Sequence, residues 1–194
     1  MDLVFQFQLS IYALIVLAML ILKIYYREEI YSYSSRLFRA LLISAGVVLI
    51  LEFLSWAFDG RPGNFNHLMN YLFNYLLFIS STIVPGFWLS YLHFKIYGNI
   101  NTVRKLYWFQ FPMLISFVIA TINIFVPIVF KVPVATNLFE RLPFIAINFV
   151  MAYLLVFYSV FIAIKERSKI KNAVFVTVVI FVILPLIASI VQAL

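Results

Sequence analysis

Few side chains in this sequence can do chemistry, and the first is Glu52. It sits in LEFLSW, near the outer end of the apolar run LFRALLISAGVVLILEFLSWAF, with DGRPG directly after. About seven residues separate it from the end of that run, so it lies ~10 Å deep by helical rise. An ionised carboxylate at that depth is costly unless paired, hydrated or protonated, and an intramembrane acid is by default a candidate functional group. The competing reading is structural: Glu52 bonds a neighbouring helix or lies close enough to the interface to be wet.

Other polar side chains recur at similar depth. In HLMNYLFNYLLF, His67, Asn70 and Asn74 stand at i, i+3 and i+7, and Ser81 follows seven later. That spacing is one face of a helix, and it puts Asn74 about as deep as Glu52. Thr121, Asn123, Asn148, Ser189 and Gln192 fall in the outer halves of later apolar runs. Two readings stand side by side. Each residue is interhelical glue, worth on average ~0.6 kcal/mol per contact. Alternatively Glu52, Asn70, Asn74, Asn123, Asn148 and Gln192 floor a ligand pocket open to the outside, with Tyr71 and Tyr75 among its apolar lining.

Prolines punctuate the same runs at Pro85-Gly86, Pro127 and Pro185. Proline removes a helical hydrogen bond and kinks the axis. Pro85 and Pro185 either shape the bundle or act as the hinges that carry a signal.

What is missing narrows the chemistry. There is no cysteine, so disulfides, thiolate metal sites and cysteine nucleophiles are out. His67 and His93 lie 26 residues apart, or ~39 Å on one helix, so they share no metal or haem. No H-E-x-x-H, G-x-S-x-G or P-loop pattern occurs. The expectation is a protein that is not an enzyme, with no metal and no cofactor.

The elements that must position these residues are membrane spans. The chain is 65% hydrophobic and 11% charged, against about 45–50% and 25% for soluble domains. Lipid is therefore part of its solvent. Six apolar runs are long enough to cross, at about 3–25, 38–58, 68–92, 107–130, 143–164 and 172–193. They predict a single all-α domain, 1–194, folded as a polytopic transmembrane helix bundle. Trp56, Trp88 and Trp108 fall where an interfacial aromatic belt is expected.

The net charge of +7 reads as loop orientation rather than nucleic-acid binding. Alternate loops and flanks hold 11 of the 14 Lys and Arg residues, leaving Arg61, Lys131 and Arg141 for the opposite side. That split puts the N-terminus outside. Six crossings from there end outside, and the chain stops at SIVQAL. The expectation is six of seven helices, with a C-terminal output domain missing.

The run EFLSWAFDG, the N-x-x-x-N of Asn70 and Asn74, PGFWLSYLHF, and a last span with LP before a terminal IVQ resemble the N-terminal membrane input regions of bacterial GGDEF-type proteins. The resemblance implies about seven helices ahead of a cytoplasmic diguanylate cyclase domain, a bacterial inner-membrane location, cyclic di-GMP signalling and a homodimer formed through the full-length protein. The GGDEF motif itself is absent, so no catalytic residue carries over. The expected function is a sensory module that detects a small-molecule ligand or a membrane state in its outer half. The alternatives are a small transporter or permease subunit, and a membrane scaffold. The expected partners are the bilayer and a small ligand, with no nucleic acid.

Overall fold

A computed structural model describes residues 3–25, 32–106, 111–172, 174–176, 178–180 and 183. Among the described residues the fold is helical apart from one two-stranded pairing. Its helices are α1 (Leu3–Tyr25), α2 (Tyr33–Phe58), α3 (Asn64–Ser80), α4 (Ile83–Tyr97), α5 (Ile100–Lys105), α6 (Phe111–Phe125) and α7 (Ile145–Lys165). Among the described residues, three helical stretches are long and apolar enough to cross a membrane: Tyr33–Phe58, Asn64–Tyr97 and Ile145–Lys165. Ile11–Leu22 and Phe111–Phe125 are apolar but shorter. Most of the expected span at 172–193 lies outside the described residues, Pro185, Ser189 and Gln192 included, as does Trp108.

Local chemistry accounts for the helix ends. α2 starts at Tyr33, five residues before the predicted span, because Ser32 Oγ accepts from the Ser35 amide at 3.1 Å. Such a cap satisfies one of the first turn's orphan N–H groups. α4 ends on Gly98 at φ 63°, a left-handed C-cap that glycine adopts without a Cβ clash.

The third predicted span, 68–92, is one continuous run in the sequence but two helices in the structure. α3 begins at Asn64, stops at Ser80, and α4 resumes at Ile83. Pro85 has no N–H, and its ring crowds the carbonyl of Ser81, four residues earlier. The break falls there. The fourth span is shorter than predicted. α6 ends at Phe125, so Pro127 lies beyond it, and 126–144 forms a folded connection. Within that connection Phe130–Lys131 pairs antiparallel with Glu140–Arg141. Lys131 and Glu140, directly opposite, form an exposed ion pair at 2.9 Å, a contact worth little in water.

α2 packs against α1, α3 and α4; α7 packs against α4 and α6; α3 packs against α6. Ring contacts between Tyr33 and Phe94 at 4.9 Å, and the Tyr97–Glu166 bond at 3.1 Å, gather one set of helix ends. Arg36, Lys95, Arg104, Lys105, Lys165, Arg167, Lys169 and Lys171 lie at this basic end. The opposite end, the loop end, holds the 59–63 and 126–144 connections.

The half toward the basic end is filled by apolar side chains. Leu41, Trp88, Leu89, Leu92, Ile96, Leu106, Leu155, Ile162, Ala163, Ile170 and Val178 form one buried cluster. Trp88 belongs to this core, not to an interfacial belt. It is 2% exposed, six residues into α4, and its indole N–H reaches Ser159 Oγ at 3.3 Å.

Candidate functional site

The polar residues of the loop-end half form three hydrogen-bonded hubs. The first centres on Asn70, which is 0% exposed. Its Nδ2 donates to Asp59 Oδ1 at 3.0 Å, to the Asn137 carbonyl at 2.8 Å and to Asn137 Oδ1 at 3.3 Å. Its Oδ1 accepts from Asn74 Nδ2 at 2.7 Å. Asn137 in turn donates to the carbonyls of Phe58 at 2.9 Å and Arg61 at 2.7 Å. Asp59 Oδ1 also accepts the Phe139 amide at 2.8 Å. Asn137 sits at φ 51°, a left-handed conformation that asparagine tolerates better than most residues. The hub ties the end of α2, α3 and the 126–144 connection into one cap. Asp59 and Asn137 escaped the sequence reading, since only the fold brings loop residues 78 positions apart together.

Asn123 centres the second hub. Its Oδ1 accepts the amides of Ile128 at 2.8 Å, Val129 at 2.7 Å and Phe130 at 3.3 Å, and its Nδ2 donates to the Phe130 carbonyl at 3.0 Å. One side chain thus satisfies the backbone that leaves α6 around Pro127. Tyr71 Oη donates to the Asn123 carbonyl at 3.1 Å and packs on Phe130 at 5.2 Å, so α3 grips the same turn. Tyr75 packs beside the same apolar group.

In the third hub, Asn148 on α7 donates to Ser81 Oγ at 2.6 Å and to the Phe78 carbonyl at 3.3 Å, and accepts from Ser116 Oγ at 2.9 Å. α6 and α7 thereby hold the α3–α4 break from outside. Pro85, just past it, is buried.

Glu52 stands apart from all three. Three full turns separate it from Leu41, a core residue 5% exposed, while the exposed Ile43, Val47 and Ile50 lie on the opposite arc of α2. It therefore faces the bundle. The pairs Phe38–Tyr91 at 5.2 Å, Phe58–Phe73 at 5.5 Å and Asp59–Asn70 at 3.0 Å set the antiparallel register of α2 against α3 and α4. In that register Glu52 stands at about the height of Leu77, roughly one turn from the break at Ser81–Thr82 and one turn deeper than Asn74. The equal depth of Glu52 and Asn74 inferred from the sequence is corrected by that turn. The Glu52 backbone carbonyl accepts from Ser55 Oγ at 2.8 Å. Its carboxyl group makes no hydrogen bond or ion pair among the described residues. Asn74 Nδ2 is spent on Asn70, which leaves Asn74 Oδ1 a second open acceptor. His67 Nδ1, on the same face of α3, is buried without a hydrogen bond.

The candidate residues thus divide. Asn70, Asn123 and Asn148 are occupied in holding helices and connections together. The half-buried Glu52 carboxyl and the Asn74 oxygen retain unused acceptor capacity among the described residues. No family model, no curated protein and no solved structure matches the chain.

Proposed function

We propose that the chain is the membrane-embedded input module of a signalling protein and takes up a small hydrogen-bond-donating ligand, such as an amine, beside Glu52. The observation that carries this reading is the bundle-facing Glu52 carboxyl, without a partner among the described residues and about one turn in height from the open Asn74 oxygen. Glu52 is half-buried, and an intramembrane acid points to a functional group. Two open acceptors favour a ligand that donates. The hubs give the site a stiff wall, and the α3–α4 break provides the element whose bend a ligand would bias. Such a bias requires different affinity for the two states.

In this proposal the chain makes six crossings of a bacterial inner membrane as part of a seven-helix unit. The N-terminus is outside, and a cytoplasmic output domain follows, a diguanylate cyclase by resemblance, within a homodimer. The uneven charge of the two ends supports the orientation. An interrupted span is also a feature of transporter sites. The apolar cluster that fills the basic half favours an input module, since a transporter needs a route to both faces.

The test is thermal unfolding of the purified protein against primary, quaternary ammonium and guanidinium compounds, with Glu52→Gln in parallel. A ligand at 100 times its Kd stabilises by ~2.7 kcal/mol. The expected result is a raised midpoint for one class in the wild type and none in Glu52→Gln. No shift with any class, or a shift that survives the substitution, would overturn the reading. The lack of native cysteine makes the topology directly testable. Thr136→Cys should react with an impermeant maleimide in intact cells, and Asn101→Cys and Ser168→Cys only after permeabilisation.

A further inference from the structure

We infer that the basic end carries a docking surface for the headgroups of anionic phospholipids, built where α5 and the segment after α7 meet. Leu106, just past α5, and Ile170, just past the 3-10 turn Arg167–Lys169, are buried in the same apolar cluster as Ile96. The Tyr97 Oη–Glu166 Oε1 bond at 3.1 Å pins the end of α7 to the end of α4. α5 starts three residues after Tyr97, with Asn99 Oδ1 capping the Asn101 amide at 2.8 Å. These anchors bring two pairs of cations to one rim: Arg104 and Lys105 beside Leu106, and Lys169 and Lys171 beside Ile170.

The cations differ in what they have left to bind. Lys169 is held by Glu166 at 2.8 Å. Arg167 is folded back onto the Ile170 carbonyl, Asn172 and the Phe175 ring. The side chains of Arg104, Lys105 and Lys171 are exposed and make no hydrogen bond or ion pair among the described residues. Glu166, the acid described at this end, is already engaged by Lys169 and Tyr97. Exposed Ile100, at 41%, gives α5 an apolar contact for acyl chains beside the charges. Cations fixed at the rim of a membrane-spanning bundle lie where phosphodiester headgroups are found, and that complementarity selects the occupant.

The test is native mass spectrometry of the purified protein titrated with phosphatidylglycerol or phosphatidylcholine. Each basic residue near an anionic surface contributes roughly a fivefold gain in binding, so Arg104→Gln/Lys105→Gln/Lys171→Gln should lose on the order of 100-fold in phosphatidylglycerol affinity. Phosphatidylcholine binding should stay unchanged. The matched loop-end variant, Arg61→Gln/Lys131→Gln/Arg141→Gln, should lose little. Equal losses in the two triple variants would overturn the assignment, as would full competition by millimolar inorganic phosphate. Should the basic-end variant fail to fold, Lys171→Gln and Lys171→Arg decide the question: the first should lose about fivefold and the second nothing.

Discussion

Replacing Asn70 by alanine should be the most damaging single polar substitution in the loop-end half. The side chain is fully buried and joins three segments through Asp59, Asn137 and Asn74. Interhelical hydrogen bonds in membranes average ~0.6 kcal/mol, with a maximum near ~1.7, and bonds to a charged partner such as Asp59 run higher, at about 1.5–3 kcal/mol. Several partners keep a second bond after the change: Asp59 Oδ1 retains the Phe139 amide, and the Asn137 carbonyl retains the Gly60 amide at 2.9 Å. That residual satisfaction holds the expected loss to about 2–4 kcal/mol. Ser159→Ala, which removes the 3.3 Å contact to Trp88 and a local bond to the Val156 carbonyl at 2.6 Å, should cost about 0.6 kcal/mol, the average for an interhelical contact. Reversible unfolding in mixed micelles, followed by tryptophan fluorescence, measures both. An Asn70→Ala loss within about 0.5 kcal/mol of the Ser159→Ala loss would refute the idea that this hub holds the cap together.

Three further outcomes follow from the same geometry. Asn137→Ala should be less stable than Asn137→Gly by about 1 kcal/mol, because both lose the same hydrogen bonds but only glycine keeps φ 51° without strain; equal stabilities would contradict a backbone role. Glu52→Leu should raise stability by about 1–3 kcal/mol while abolishing ligand response, since it removes a half-buried carboxyl that no described residue compensates; a destabilised variant would mean that Glu52 has a structural partner. The Lys169 hydrogen bond, and then that of Tyr97, hold the Glu166 carboxyl below the usual carboxylate range, and Glu166 holds the Lys169 ammonium above its ordinary value. The contribution of Glu166 is therefore present above its ordinary pKa and lost as pH falls through the lowered one. Hydrogen exchange across 166–170 should accelerate only in that acid range, and Glu166→Gln should abolish the acceleration.

Much of this was legible in the sequence where the physics is local. Hydropathy placed α1, α2 and α7 within a few residues, and the i, i+3, i+7 spacing put Asn70 and Asn74 on one buried face. Pro85 announced a disturbance, yet nothing local shows that α3 and α4 separate cleanly, because Asn148 and Ser116 from distant helices support the break. The same holds at Pro127, where the pattern stayed apolar but Asn123 gathers three amides and turns the chain out of α6. Asp59 and Asn137 were invisible as partners, since residues in connections acquire roles only once helices fix their separation. Trp88 misled for a related reason: distance from a span end says little about burial once the span is broken and extended to Tyr97.

The proposed ligand site beside Glu52, reached from outside, is the central claim, and the cysteine-free chain permits a direct test. Glu52→Cys would be exposed in intact cells to a small cationic, membrane-impermeant methanethiosulfonate, with Thr136→Cys as the accessible reference and Asn101→Cys as the protected one. The expected result is modification of Glu52→Cys from outside at a rate near that of Thr136→Cys. A Glu52→Cys protein that folds, resists the reagent as fully as Asn101→Cys, and does so while Thr136→Cys reacts would contradict it.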